Sequence, residues 1–152
     1  MPNRFVQSAD AVRERNAWTE NDWLCRPDLV DAEKLLLVRA HMAPGHCHPF
    51  HYHPHREEII FVVEGVAEQW VYGEYRLLRA GEMAHIPPGV IHGTYNPHAE
   101  RLVFLAILSP AKLPEPQSAD PDPVDVGLQE PWATIRRERG LAECIWGEDE
   151  KA

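Results

Sequence analysis

The sequence is poor in cysteine and has no long hydrophobic run. Its 152 residues include three cysteines, widely spaced and odd in number, so free thiols in a reducing compartment are expected rather than a disulfide framework. Cys25 and Cys144 are expected to be small apolar fillers. The longest apolar run, residues 102–108, is too short to cross a bilayer, and no apolar signal segment follows Met1. These features predict a cytoplasmic protein that does not associate with membranes.

Basic residues are also scarce, since 15 Lys and Arg face 24 Asp and Glu, giving a net charge of −9. This balance provides no electropositive surface for a phosphate backbone, so nucleic acid is not expected as a partner. A chain of this length buries roughly 68–70% of its unfolded surface and can fold as one domain without a structural metal. A bound metal would therefore serve function more than folding.

Long helical patterns are lacking, and short strand-like runs take their place. Fourteen prolines and nine glycines punctuate the chain, which favours an all-β fold. The connections are short turns typical of antiparallel strands, so residues 34–110 are predicted to form a β-sandwich or barrel. The predicted strands span residues 34–42, 58–64, 67–72, 74–78, 83–86, 91–95 and 101–108.

The segments on either side of this core are predicted to be less regular. Residues 1–33 are expected to form an arm with a short helix over residues 9–15. Residues 111–131 belong to a stretch rich in proline and acidic residues, which predicts an extended, poorly ordered linker. Residues 132–152 form a tail that carries enough apolar side chains to dock on its own barrel or on a second subunit.

Aromatic residues outside the core predict an oligomer. Trp18 and Trp23 lie in the arm, Trp132 and Trp146 lie in the tail, and the side chain of Trp70 is expected to point away from the barrel interior, as is that of Tyr72. One small barrel does not readily cover this much aromatic surface. A homodimer is therefore expected.

Histidine is concentrated in one place, with six of the nine histidines between residues 41 and 55. Side chains two apart on a strand point to the same face, so His51 and His53 are predicted to enter the interior together. Glu58 can join them after the turn at Pro54, and His92 arrives from a separate strand. Three imidazole nitrogens and one carboxylate, with one or two open positions, suit one divalent Mn, Fe, Co, Ni or Zn ion.

Two spaced motifs contain these four residues. The segment Gly45-x5-His51-x-His53-x4-Glu58-x6-Gly65 resembles the first cupin motif, and Gly81-x5-Pro87-x-Gly89-x2-His92-x3-Asn96 resembles the second. Every signature position is filled, over about a third of the chain. The resemblance implies a double-stranded β-helix barrel with an N-terminal arm and a C-terminal extension. It also implies that the metal ligands are His51, His53, Glu58 and His92.

Three other histidines of the cluster are assigned to a solvated loop at the barrel mouth: His46, His48 and His55. Cys47, between two of them, is a weaker alternative as a soft ligand for zinc.

Candidates for catalytic residues follow from strand alternation. Counted from Gly65, Gln69 lies on the inward face of its strand, although a shift of one residue would turn it to solvent. His41 and His85 are further candidates, and Thr94 and Tyr95 are weaker ones.

The cupin fold hosts oxygenases, isomerases, lyases, storage proteins and sugar-binding domains, so the resemblance leaves the reaction open. One hypothesis is an enzyme of the oxygenase, isomerase or lyase class that binds a small oxygen-bearing metabolite at the metal. The alternative is a non-catalytic module that binds or senses a sugar or an organic acid. A general acid or base within hydrogen-bond reach of an open metal position would favour the enzyme.

Overall fold

The computed structural model describes residues 3–140 and is built mainly from antiparallel strands. The strands are β1 (Val12–Arg15), β2 (Glu20–Cys25), β3 (Leu36–Met42), β4 (Cys47–Tyr52), β5 (Glu57–Glu64), β6 (Val66–Val71), β7 (Glu74–Arg79), β8 (Met83–Ile86), β9 (His92–Tyr95), β10 (Leu102–Ser109) and β11 (Val124–Asp125). The helices are α1 (Pro27–Val30), α2 (Trp132–Glu138) and two 3-10 turns at Ser8–Asp10 and Gln117–Ala119. The all-β prediction is confirmed.

Two antiparallel sheets form the barrel, a double-stranded β-helix as predicted. The six-stranded sheet has the order β1-β2-β3-β10-β5-β8, and the five-stranded sheet has the order β11-β4-β9-β6-β7. Several strands that follow one another along the chain are joined by short turns, and several of these turns contain a glycine at positive φ. The predicted strands agree with the observed ones to within two residues at their ends.

The period-two alternation of apolar residues builds the main core. On β5, Ile60 and Val62 are buried and Glu58 shares their inward face. On β3, the inward residues include Val38 and Ala40, which pack in the same core. Alternation therefore carries the Glu58 carboxylate into an otherwise apolar interior.

A second apolar cluster lies on the other face of the five-stranded sheet. Phe50, Trp70 and Tyr95 are buried there, and Trp132 and Ile135 of α2 pack against them. The tail, as far as residue 140, therefore docks on its own barrel. Trp70 points away from the interior, as predicted, but it is covered by this chain.

The flanking segments are more regular than the sequence suggested. The helix expected over residues 9–15 is wrong, because Val12–Arg15 forms β1, which pairs with β2 and so extends the six-stranded sheet. In the linker, β11 pairs with β4 instead of remaining unpaired. The extended backbone that proline favours is also that of a strand, so composition alone does not separate the two.

Two expectations concern cysteine and membranes. Cys25 is a free thiol, whereas Cys47 is disulfide-bonded, so the expectation of free thiols is wrong at Cys47. Spacing along the chain cannot reveal such a bond, because it depends on which residues the fold brings together. Cys144 lies outside the described residues. Across residues 3–140, the structure has no helix with the length and apolarity needed to cross a membrane.

One buried carboxylate joins the arm to the barrel. Asp22 of β2 lies 2.5 Å from a guanidinium nitrogen of Arg13, 3.0 Å from one of Arg39 and 3.0 Å from Nε2 of His41. Burial alone would raise the pKa of Asp22, but hydrogen bonds from His41 and Arg39 and the charge of Arg13 lower it. This carboxylate therefore stabilises the pairing of the first three strands while it is ionised.

We expect Asp22→Asn to lower the free energy of unfolding by about 1–2 kcal/mol at pH 7, because the ion pairs with Arg13 and Arg39 are lost. The loss is moderate because these partners are partly exposed to solvent. Since the pKa of Asp22 is lowered on folding, its contribution is present above the ordinary Asp pKa and is lost as the pH falls. Urea unfolding at several pH values should show the two proteins converging in acid. Asp28→Asn, which removes an exposed carboxylate paired with Arg26, is the control. A pH-independent difference would contradict the prediction.

Gly65 is the tightest glycine position of the barrel. Its φ is +83°, and a Cβ placed there would lie 2.5 Å from the carbonyl oxygen of Arg101. Gly73 has a similar φ of +84°, but a Cβ there would meet nothing within 4 Å. The two positions separate the cost of the backbone conformation from that of the steric clash.

We expect Gly73→Ala to destabilise the protein by about 1–2 kcal/mol, the cost of an L-residue in the left-handed region. Gly65→Ala adds a clash with backbone, so we expect a total of about 3–5 kcal/mol. Thermal or urea unfolding of both variants measures the difference. Equal losses at the two positions would show that the contact with Arg101 is unimportant.

Candidate metal centre

Four side chains converge inside the barrel, and they are the four predicted from the sequence. His51 lies near the end of β4, His53 follows that strand, Glu58 begins the inward face of β5, and His92 begins β9. All four are buried, and each offers a ligand atom within 4.8 Å of the other three.

Strand pairing and one turn set this arrangement. His51 and His92 are direct partners in the pairing of β4 with β9. The backbone N–H of Gly89 donates to the carbonyl oxygen of His53 at 2.8 Å, which connects the turn of the second motif to the end of the first. The turn after Pro54 then brings Glu58 in from the other sheet, as predicted from the sequence.

Hydrogen bonds at Nδ1 fix the orientation of the imidazoles. Nδ1 of His51 lies 2.6 Å from the carbonyl oxygen of Pro49, and Nδ1 of His92 lies 2.9 Å from that of Val90. A carbonyl oxygen only accepts, so each Nδ1 carries the hydrogen and donates it. A neutral ring of this tautomer directs the lone pair of Nε2 towards the centre, as metal-ligating histidines do.

The atoms that face the centre lack hydrogen-bond partners. Nε2 of His51, Nε2 of His92 and Oε2 of Glu58 are buried without a hydrogen bond of good geometry. Oε2 of Glu58 nevertheless lies 2.9 Å from Nε2 of His92 and 3.1 Å from Nε2 of His53. Lone pairs this close repel unless a proton or a metal ion lies between them. The donor set therefore fits a divalent transition metal ion.

The charges of the cluster also favour a bound cation. Burial alone would lower the pKa of His53, but the hydrogen bond to Asp122 and the negative charges of Glu58 and Asp122 raise it to about 9. Burial would raise the pKa of Glu58, but His53 and His92 lower it. Burial and the neighbouring imidazoles lower the pKa of His51 well below its ordinary value. The cluster thus combines an ionised carboxylate with imidazoles that compete for one positive charge.

Asp122, in the linker, is a functional residue that sequence reasoning missed. Its Oδ1 accepts a hydrogen bond from Nδ1 of His53 at 2.5 Å, and its other oxygen accepts one from Arg56. Burial would raise the pKa of Asp122, but His53 and Arg56 lower it. Arg56 also donates to the carbonyl oxygens of Pro110 and Ala111, at 2.9 and 3.1 Å. Asp122 thus orients His53 while Arg56 holds the linker against the barrel.

A cavity of about 350 Å³ opens beside the centre. The inner face of the six-stranded sheet supplies its apolar wall: Val38, Ala40, Ile60, Phe104, Ala106 and Leu108. The arm supplies polar and aromatic residues, and the linker supplies Asp122 and Pro123. The volume falls within the range of roughly 300–1,000 Å³ that is usual for small-molecule sites.

Of the catalytic candidates taken from the sequence, Thr94 lines this cavity, whereas Gln69, His41, His85 and Tyr95 do not. Gln69 is buried behind it and accepts a hydrogen bond at 2.6 Å from Oγ1 of Thr94, which does line it. His41 is paired with Asp22 instead, and the half-exposed His85 lies 2.6 Å from Glu57. His41 and His85 each lie on the outer face of their strand, so the structure does not bring them to the cavity. Tyr95 packs in the second apolar cluster.

His48 also differs from its predicted place in a solvated loop. It lies on β4 and lines the cavity, with its ring stacked 3.6 Å from that of His51 and 3.8 Å from that of Trp18. A register shift in the pairing of β4 with β9, between His48 and His51, allows this position, and strand alternation does not predict such a shift. His55 is partly exposed and lies 2.5 Å from Asp120, closer to the expectation. His46 is partly exposed too, outside this cavity.

Comparison with known proteins supports the cupin fold. The model of the cupin domain family matches residues 38–108. A protein called polyketide synthase CurC, from Streptomyces cyaneus, is 35% identical over 110 residues, which cover 72% of this chain and 71% of that protein. An uncharacterized protein of Aquifex aeolicus is 38% identical over 61 residues, 40% of this chain, and the match spans only half of that protein's length.

Among solved structures, the oxalate decarboxylase of Bacillus subtilis, which has Mn(II) centres, superposes with a TM-score of 0.66. The superposition covers 92% of this chain and 37% of that chain at 18% sequence identity. At this identity the likeness concerns the fold alone.

We expect Asp122→Asn to weaken metal binding by about 10–100-fold, because a neutral amide supports the ligand His53 less than a carboxylate does. Competition with a chromogenic chelator, using Co²⁺ or Zn²⁺ and untagged protein, measures the affinity. Asp120→Asn is the matched control, since Asp120 lies in the same segment and pairs with the non-ligand His55. Equal affinities for the two variants would exclude the orienting role of Asp122.

Proposed function

The chain belongs to the cupin superfamily, and we propose that it is a metal-dependent enzyme acting on a small oxygen-bearing metabolite. The metal ligands in this proposal are His51, His53, Glu58 and His92. The observation that carries it is the set of buried donor atoms without hydrogen bonds, which stand beside a cavity large enough for a small molecule.

A divalent metal at this site would polarise a carbonyl or enol oxygen of the ligand or, if it is iron, support reaction with dioxygen. The chain's own residues prepare the site in three ways. The apolar wall formed by β3, β5 and β10 excludes water and strengthens electrostatic interactions inside. Trp18 and His48 cover one side of His51 by ring stacking. Asp122 keeps His53 turned towards the centre.

One relative supports an oxygen-rich substrate. The name of the Streptomyces protein refers to polyketide synthesis, and polyketides carry many carbonyl and hydroxyl groups. The apolar wall suits the hydrocarbon part of such a molecule better than it suits a sugar, whose hydroxyl groups need a partner on every side. We therefore favour an oxygenated, partly apolar metabolite.

One observation favours the alternative of a binding module without turnover. In the buried part of the cavity, the carboxylates of Glu58 and Asp122 are engaged by His53, His92 and Arg56. Glu14 lines the cavity and makes no ion pair within residues 3–140, but it is exposed at the mouth. Proton transfer would use Glu14, the imidazole of His48, which also lines the cavity, or a group of the ligand itself.

We expect untagged protein to contain or take up about one equivalent of a divalent transition metal, measured by plasma mass spectrometry. The double variant His51→Ala/His53→Ala is expected to lose at least nine tenths of it, because three or more donors are needed to hold the ion. His85→Ala removes an exposed histidine paired with Glu57 and is the control. A folded protein that stays metal-free after reconstitution would overturn the proposal.

The reaction itself is tested with the metal-loaded protein and a panel of β-diketones and hydroxylated aromatic compounds. Oxygen uptake and substrate consumption are followed together, with the double variant as the blank. Consumption that depends on His51 and His53 supports an enzyme. Metal-dependent binding of these compounds without consumption would establish the binding module instead.

A further inference from the structure

Two residues of the arm that line the cavity each carry a buried polar atom that makes no hydrogen bond within residues 3–140. In the strand pairing, Asn21 of β2 lies opposite Ala40 and Trp23 opposite Val38, both inward residues of β3. Asn21 and Trp23 therefore continue the inner face of the sheet, and both line the cavity beside the metal centre. Asp22, between them, points to the other face, towards Arg39.

The orientation of the Asn21 amide is determined by its neighbour. Nδ2 of Asn21 donates to the carboxylate of Glu14 at 3.0 Å, and a carboxylate accepts this bond only from the NH₂ group. Oδ1 is thereby turned away from Glu14, and it is buried without a hydrogen bond in a residue that is only 5% exposed. Nε1 of Trp23 is likewise buried without a partner.

A buried polar group without a hydrogen bond destabilises the folded state, so a pair of them on one cavity wall calls for an explanation. We infer that Asn21 and Trp23 form a recognition site for a hydroxyl group of the ligand, separate from the metal. A hydroxyl has a hydrogen to donate to Oδ1 of Asn21 and lone pairs that accept from Nε1–H of Trp23. The inference rests on the proposed function, because the metal holds the other end of the ligand.

The charges around the site exclude an anionic group there. Glu14 bonds to Asn21 and would repel a carboxylate or phosphate. Arg56, which also lines the cavity, is engaged by Asp122 and by two carbonyl oxygens. A neutral hydroxyl fits both the donor and the acceptor, and it reproduces the hydrogen bonds of any water that it displaces.

The ligand defined in this way has three parts. A metal-binding oxygen occupies one end, an apolar ring system lies against Val38, Ala40 and Phe104, and a hydroxyl reaches Asn21 and Trp23. Such a molecule is a hydroxylated aromatic compound of compact size. A linear sugar or a small dicarboxylic acid lacks the apolar middle part.

The probes that test this are 2,3-dihydroxynaphthalene, whose adjacent hydroxyls chelate a metal, and the two analogues with a third hydroxyl at carbon 5 or 6. Calorimetry with metal-loaded wild-type protein is expected to give about tenfold tighter binding for at least one analogue. Asn21→Leu and Trp23→Phe are expected to abolish that preference. The ratio of the two affinities within each variant is the readout, because both residues line the cavity and their replacement also changes the surface that 2,3-dihydroxynaphthalene contacts.

Glu20→Gln, which changes an exposed residue of the same strand, is the control and should keep the preference. Circular dichroism establishes whether each variant is folded. If Asn21→Leu does not fold, the more conservative Trp23→Phe variant tests the inference by itself. The inference is overturned if neither probe class binds, if wild-type protein shows no preference, or if the preference survives in folded variants. Metal content measured on the same samples decides the proposed function separately, since its failure leaves the protein without metal.

Discussion

The close approach of the Glu58 carboxylate to Nε2 of His53 and His92, at 3.1 and 2.9 Å, is the constraint around which the barrel is arranged. Acceptor atoms at these distances repel one another unless a proton or a metal ion lies between them, and the surrounding backbone favours a metal ion. The carbonyls of Pro49 and Val90 take up the Nδ1 hydrogens of two imidazoles and so leave only Nε2 available. Strand pairing, turn geometry and tautomer thus favour the same occupant.

The linker completes the site from outside the barrel. Asp122 bonds to His53, and Arg56 bonds both to Asp122 and to the backbone at Pro110 and Ala111. Ordering about a dozen linker residues opposes this arrangement through lost chain entropy, and the charged hydrogen bonds offset that loss. Metal binding and docking of the linker would therefore be coupled, because both depend on the position of His53.

The sequence predicts the barrel and its four convergent residues well, because both depend on local patterns. Alternation places Glu58 inward, and the spacing of the histidines brings two rings to one face. It does not predict Asp122, which lies 69 residues from His53 and in a segment whose composition suggests disorder. Nor does it place His48, since a register shift in β4 changes the face on which a side chain appears.

These contacts give the barrel and the arm different roles. The barrel supplies the donor atoms and an apolar wall, which many proteins of this fold can share without sharing a substrate. The arm is held to the sheet by Asp22, and the same strand turns Asn21 and Trp23 towards the cavity. Adjacent residues of β2 therefore carry stability on one face and recognition on the other. Substitutions in the arm can then change which ligand is accepted without disturbing the metal, provided that Asp22 keeps the strand in register.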